Sequence, residues 1–416
     1  MRKRFAIILA VVLLFNAMLF AVEAADYEDK AIIAAFSVKP EFTGDMITIR
    51  FEDIPGENGL KLSYNPDTGF ICAANDSYRV FIKELDDNVE ASREAVSINR
   101  IEEIDLYLEY RFEAYVYIYG QTTGLEGTGA SLAEVTVDFR EGSAYFTIRK
   151  IGTSISSIDN ENVDTLLKNN MLLVNRSNTL GRAYFPADMV YGKPSRGRAA
   201  VAVRLDREAM RQLNYMLDAA YSEGVSGMVI TSAFRNFDKQ TSLYNEKTNA
   251  LSRKMSRKTA MEEASKVVAI PGSSEHQTGL AADICSEGVG LISNFGNTKQ
   301  GKWLKENSWK FGFVIRYPKE KTAKTGIIYE PWHIRYVGEV HSEIMKDKDM
   351  CLEEYVEYLK ENKAISFVDS RGGSYAIQYV SKYDFNRDGL RLSLPQTSAW
   401  SISNCTKDSY ILTIKL

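Results

Sequence analysis

Two stretches of alternating hydrophobicity constrain this chain more than any other feature. Leu106, Leu108, Tyr110, Phe112, Ala114, Val116 and Ile118 alternate with Tyr107, Glu109, Arg111, Glu113, Tyr115, Tyr117 and Tyr119. A period of two sends each set to one face of an extended strand, so the segment predicts a long half-buried strand rather than an amphipathic helix. Val135, Val137 and Phe139, then Glu141-Gly142, then Ala144, Phe146 and Ile148 repeat the alternation on both sides of a turn and predict a hairpin. No strong helical pattern separates these strands. Residues 25–164 are therefore expected to form an all-β, sandwich-like module, to which the sequence assigns no role.

The pattern changes near residue 165. Asp206 can cap a helix whose apolar stripe is Ala209, Met210, Leu213, Met216, Leu217 and Ala220, with Gly224 ending it. Met228–Thr231 reads as a buried strand. The Lys/Arg-rich stretch from about 245 to 267 reads as helical, with Ala260, Ala264 and Val267 facing inward and a solvated charged face. Mixed helices and strands predict an α+β domain over 165–362. Beyond it, Tyr375/Ile377/Tyr379, Leu390/Leu392/Leu394, Trp400/Ile402 and Ile411/Thr413 return to period two. Residues 363–416 are expected to be a small β-rich appendage, too short for a core of its own. The chain is thus multidomain, an α+β domain flanked by two β-rich parts.

Composition narrows the function classes. With 51 Lys+Arg against 55 Asp+Glu the net charge is −4, which excludes a generally basic nucleic-acid binder. Arg2-Lys3-Arg4, an apolar run from Phe5 to Val22 broken only by Asn16, and Val22-Glu23-Ala24 form the three parts of a secretory signal. Residues 1–24 are expected to be a signal peptide cut after Ala24. The alternative is an uncleaved tether, since ~18 apolar residues can just span a bilayer. Either way the remainder works outside the cytoplasm. Cys72, Cys285, Cys351 and Cys405 lack metal-type spacing and are read as buried free thiols.

Only three histidines occur in 416 residues, and two of them stand near carboxylates. One cluster is Ser273-Ser274-Glu275-His276-Gln277-Thr278-Gly279-Leu280-Ala281-Ala282-Asp283. The other is Glu330-Pro331-Trp332-His333-Ile334-Arg335-Tyr336. Two imidazoles and one carboxylate are a usual ligand set for a catalytic zinc, and a further carboxylate is then needed as base. His276, Asp283 and His333 suit the first task and Glu330 the second. On spacing alone the competing reading is two core histidines satisfied by hydrogen bonds. Cys285, two residues beyond Asp283, shares its strand face, but the ligand set is complete without it. His341 reads as structural, and Trp332 and Tyr336 as packing around the site.

The residues also resemble a known family. Ser274-x-His276-x-x-Gly279-x-Ala281-x-Asp283, then Glu330-Pro331-Trp332-His333-x-Arg335-Tyr336-Val337-Gly338, is similar to the VanY-type D-alanyl-D-alanine carboxypeptidases, zinc peptidases of bacterial cell walls. Ser232-Ala233-Phe234-Arg235-Asn236-Phe237-Asp238-Lys239-Gln240 matches an upstream Ser-Gly-Tyr-Arg-Ser-x-x-x-Gln stretch of that family, with Ala233, Phe234 and Asn236 replacing the commoner residues. Phe311-Gly312-Phe313, Arg316-Tyr317-Pro318 and Thr325-Gly326 follow in the expected order. The resemblance spans about 165–360. It implies one zinc per chain held by His276, Asp283 and His333, with Glu330 as general base. It further implies that Arg235 faces the developing oxyanion, and that Gln240 and Ser274 hold polar groups of the terminal D-alanine. Peptidoglycan stem peptides are the implied partners. Two rivals are carried: an L,D-carboxypeptidase acting on tetrapeptide stems, and a non-catalytic wall-binding module with a structural metal. Glu330 argues against the latter, because a structural zinc has no use for a free carboxylate base.

Overall fold

A computed structural model describes residues 162–388, 390–394 and 399–415 and, before them, Lys39 and strand residues between 32 and 158. The expected signal peptide lies outside the described residues. Among those described, no helix is long and apolar enough to cross a membrane. The chain divides into two compact units, Met1–Asn162 with Asp384–Ser398, and Val163–Tyr383 with Ala399–Leu416.

The first unit includes strands at the two segments of alternating hydrophobicity. Glu109–Ile118 pairs antiparallel with Thr128–Arg140, which pairs in turn with Ser143–Lys150. In that hairpin the backbone register sets Val135 opposite Ile148, Val137 opposite Phe146 and Phe139 opposite Ala144. Residues 106–108 and 119 of the anticipated strand lie outside the described residues. These strands belong to a nine-stranded sheet; a second sheet of four strands runs in the order Glu41–Thr43, Met46–Arg50, Ala95–Asn99, Val89–Ala91.

The second unit is α+β. Its central sheet has the order β1-β2-β3-β5-β4, where β1 is Arg198–Ala199, β2 Met228–Ser232, β3 Ala281–Ser286, β4 Phe313–Tyr317 and β5 Glu330–Tyr336. Helix α1, Arg207–Ser222, lies on one face. Asp206 caps it by accepting from the backbone N–H groups of Glu208 and Ala209. Gly224 follows at φ +74°, a left-handed conformation that favours glycine. The α1 stripe packs with Met228, Ile230, Ala282, Ile284 and Ile334 into one core. Strand periodicity then gives Asp283 to the other face, between two core residues, and sets it directly across from His333.

The charged stretch expected as one helix forms the end of α2, Phe237–Ser252, and a separate α3, Arg257–Ser265. Ser256 accounts for the break: its hydroxyl caps α3 by accepting from Thr259 N. Ala260 and Ala264 are buried, as the spacing predicts.

The C-terminal residues do not form a separate appendage. Ala364–Val368, Ser374–Ser381, Trp400–Thr406 and Ser409–Lys415 join Leu167–Lys168 in a five-stranded sheet of the second unit. Ile365, Ile377, Cys405 and Ile411 share a core with Ile344 and Met345 of α4, Glu339–Asp347, and with Leu352, Tyr355, Val356 and Leu359 of α5, Leu352–Asn362. Leu390–Leu394 instead enters the nine-stranded sheet of the first unit, between Thr128–Ser131 and Ser154–Ile158. About 50 residues too few for a core of their own thus complete two others.

Candidate active site

The sheet brings together three groups that the sequence separates. His276 sits on a short 3-10 turn, Glu275–Thr278, closed by Gly279 at φ +72°. A Cβ on Gly279 would strike the Met189 side chain, so the turn needs glycine for both its dihedral and its space. Asp283 and His333 come from neighbouring strands β3 and β5. One donor atom from each of His276, Asp283 and His333 lies within 4.8 Å of the other two, and all three residues are buried. His276 Nε2 is 3.2 Å from Asp283 Oδ2, and His333 Nδ1 is 3.2 Å from Asp283 Oδ1. The imidazole planes stand at 86° to each other.

Partner accounting shows what these atoms are free to do. His276 Nδ1 donates to the Ala233 carbonyl at 2.6 Å, which fixes the proton there and leaves Nε2 with a lone pair toward Asp283. His276 Nε2 and Asp283 Oδ1 are buried with no hydrogen-bond partner. Buried polar atoms are normally satisfied, so orphans from a turn and a strand converging on one point indicate a missing partner. A divalent cation fits that donor set of two nitrogens and a carboxylate.

The electrostatics favour a cation at the same place. Burial resists charge on Asp283, yet His276 and His333 hold its carboxyl well below the usual range. Burial opposes charge on His333 as well, but Asp283 and Glu275 overcome it and push the imidazole up to about 9. His276 goes the other way, down to about 4, from burial and the Arg235 guanidinium. A field that attracts a proton to His333 equally attracts a metal ion, so the two compete for the site.

Glu330 opens β5 and places Oε2 3.7 Å from His333 Nδ1. Burial raises its carboxyl to about 8, and the Asp283 charge adds to the effect against His333 and Arg235. A carboxyl near neutrality is poised for general acid and base work. Arg235 Nη1 donates to Ser232 Oγ at 2.8 Å and to Asp283 Oδ2 at 3.3 Å, while its Nε is buried without a partner. Arg235, Asp283, Glu330 and His333 line a cleft of about 430 Å³ with Ser274, Tyr317, Trp332, the charged Glu246 and Lys247, and the apolar Leu243, Val267, Val268, Ala269, Leu291 and Ile327.

Ser274 therefore lines the cleft, but Gln240 does not. Gln240 is buried behind the wall, and its Nε2 donates to the carbonyl of the lining residue Ala269 at 2.6 Å. Cys285 belongs to the hydrophobic cluster of the second unit and is not among the residues whose ligand atoms converge; it is one of three buried free cysteines among the described residues, with Cys351 and Cys405. His341 lies apart from the cleft, bonded to Tyr355 and Thr413. Glu275 is the group the sequence reading passed over. It is wholly buried beside His276, and its Oε1 accepts from Arg316 Nε and Arg335 Nη1, each at 2.8 Å. Burial disfavours its charge, but the two arginines hold the carboxyl far below its ordinary value. Arg335, two residues from His333 on one strand face, was the available clue.

Comparison with known proteins agrees with this geometry. A family model described as VanY, D-alanyl-D-alanine carboxypeptidase, matches residues 202–339. A D-alanyl-D-alanine carboxypeptidase of Enterococcus faecium is 38% identical over 213 residues, which make up 51% of this chain and 62% of that protein. YodJ of Bacillus subtilis (strain 168), provisionally named a carboxypeptidase, is 38% identical over 228 residues, 54% of this chain and 78% of its own length. Among solved structures, the vancomycin-resistance D,D-dipeptidase VanXYg, in complex with a D-Ala-D-Ala phosphinate analogue, superposes with a TM-score of 0.51 at 25% identity. That match covers 63% of this chain and 99% of the other. The cleft, its His276–Asp283–His333 cluster and these matches lead to one assignment: the chain belongs to the VanY family of D-alanyl-D-alanine carboxypeptidases.

Proposed function

We propose that this protein is an exported zinc-dependent D-alanyl-D-alanine carboxypeptidase that removes the terminal D-alanine from peptidoglycan stem peptides. The observation that carries the reading is the convergence of orphaned His276 and Asp283 atoms with His333, beside a carboxyl poised near neutrality, in an open cleft. His276, Asp283 and His333 would hold one zinc ion. When bound, such an ion lowers the pKa of a water to ~7 and polarises a carbonyl.

The chain's own residues supply the rest. Glu330 takes a proton from the attacking water and passes it to the nitrogen of the departing D-alanine as the peptide bond breaks. Arg235, fixed by Ser232 and Asp283, presents its remaining N–H groups to the negative charge that develops on the carbonyl oxygen. Ser274 meets polar groups of the terminal residue, and Gln240 acts by holding Ala269 in place. The apolar lining accepts the methyl groups of the alanines and excludes water around the reacting bond. The N-terminal basic and apolar run accounts for export, and we place the first unit outside the chemistry.

The test measures free D-alanine released from a pentapeptide ending in D-Ala-D-Ala and from the corresponding tetrapeptide, with wild type and Glu330→Gln. Release from the pentapeptide, lost in Glu330→Gln, is the expected outcome. Release from the tetrapeptide alone would transfer the assignment to L,D-specificity. Binding of peptide without release from either would make the protein a wall-binding module.

A further inference from the structure

Behind the ligand cluster lies a second, buried group of charges that the reaction does not use. Arg316 donates from Nε to Glu275 and from both terminal nitrogens to Glu353 of α5, at 2.8 and 2.7 Å. Arg335 donates to Glu275 and to the carbonyls of Asn170 and Leu172. Two guanidinium groups and two carboxylates balance to zero, so the cluster needs no further charge. Glu275 is anchored entirely through Oε1. Its Oε2 is buried without a hydrogen-bond partner, and so is His333 Nε2, 3.8 Å away. A shift of about 1 Å would bring that pair into hydrogen-bond range.

We infer that Glu275 is a positioning residue for His333: its Oε2 accepts from His333 Nε2–H and thereby presents Nδ1 to the metal. Nδ1 is the ring nitrogen that faces the cleft, 3.2 Å from Asp283 and 3.7 Å from Glu330. His276 shows the mirror arrangement, in which the Ala233 carbonyl fixes Nδ1 and presents Nε2. The two ligand histidines therefore offer opposite ring nitrogens, one set by a backbone carbonyl and the other by a carboxylate clamped between arginines. Partners on the far side of a ligating imidazole commonly fix its tautomer and orientation. A purely structural Glu275 would leave no reason for an orphaned oxygen aimed at an orphaned ring nitrogen. The inference rests on the zinc site proposed above, and not on the peptide the enzyme cleaves.

The test is nitrogen-15 NMR of the full chain labelled at its three histidines and loaded with one equivalent of zinc, together with zinc affinity of Glu275→Gln. The expected spectrum shows His333 protonated at Nε2 with zinc on Nδ1, and His276 the reverse. Glu275→Gln should bind zinc ~10- to 100-fold more weakly and move the His333 signals, leaving those of His341 in place. His333 protonated at Nδ1 in the loaded wild type would overturn the inference, and that measurement decides even if Glu275→Gln does not fold. Unchanged zinc affinity and His333 signals in a folded Glu275→Gln would overturn it too, as would a wild type that takes up no zinc. Protein with the expected spectrum that releases no D-alanine would contradict the proposed activity while leaving this inference standing.

Discussion

The cleft and the C-terminal core of the second unit treat the same residue type in opposite ways. His276, His333 and His341 are all buried, at 0, 4 and 4% exposure. In the C-terminal core both ring nitrogens of His341 are engaged, Nδ1 with the Tyr355 hydroxyl at 2.9 Å and Nε2 with the Thr413 hydroxyl at 3.0 Å. In the cleft, His276 keeps one nitrogen without a hydrogen bond, and so does His333. Burial does not separate the cleft histidines from His341; the count of satisfied atoms does. The Glu275–Arg316–Arg335–Glu353 group stands between the two regions and is saturated everywhere except at the oxygen nearest His333.

Substitutions on each side should separate chemistry from stability. Glu330→Gln is expected to lower kcat by ~10²- to 10⁴-fold, with zinc content and unfolding transition unchanged. Steady-state kinetics with metal analysis checks this. Arg316→Met removes the shared partner of two buried carboxylates and should destabilise the second unit by about 3–5 kcal/mol in denaturant unfolding.

His341 supplies a pH dependence free of the metal. Burial pushes its imidazole down to about 4 from 6.5, so between those values the unfolded chain binds the proton and the folded one does not. Stability should therefore fall as pH drops from about 6.5 to 4, by up to roughly 3 kcal/mol. His341→Gln should remove that part of the slope in unfolding experiments at stepped pH. The smallest effect is predicted for Cys285→Ala, which should cost about 1 kcal/mol and leave zinc stoichiometry as it was. A loss of metal in that variant would show that the cluster extends beyond His276, Asp283 and His333.

Much of this was readable from sequence where the signal is local. The α1 stripe and its Asp206 cap repeat every three to four residues, and strand β2 is a short apolar run, so both stand in the structure as the periodicity predicts. The convergence of His276, Asp283 and His333 was legible because histidine is scarce and its neighbours are specific. Long-range pairing carries no such mark. Leu167 pairs with Ile402, and Leu390 with Thr128, through contacts that no window of sequence contains. Ile365, Ile377, Cys405 and Ile411 all lie beyond the α+β domain expected over 165–362, yet they complete its second core. Glu275 escaped for the same reason: its arginines lie 41 and 60 residues further along the chain. The substrate role of Gln240 comes from the resemblance alone; in the structure its side chain is buried and bonds to the carbonyl of the lining residue Ala269.

The central claim is that hydrolysis depends on a metal held by His276, Asp283 and His333. The most direct measurement is free D-alanine released from a D-Ala-D-Ala-terminated pentapeptide by the chelator-treated chain, before and after zinc is returned. Release should vanish on chelation and return at one equivalent of zinc per chain, but not in Asp283→Ala. Undiminished release by metal-free protein, or none from folded, zinc-loaded wild type, would contradict the account.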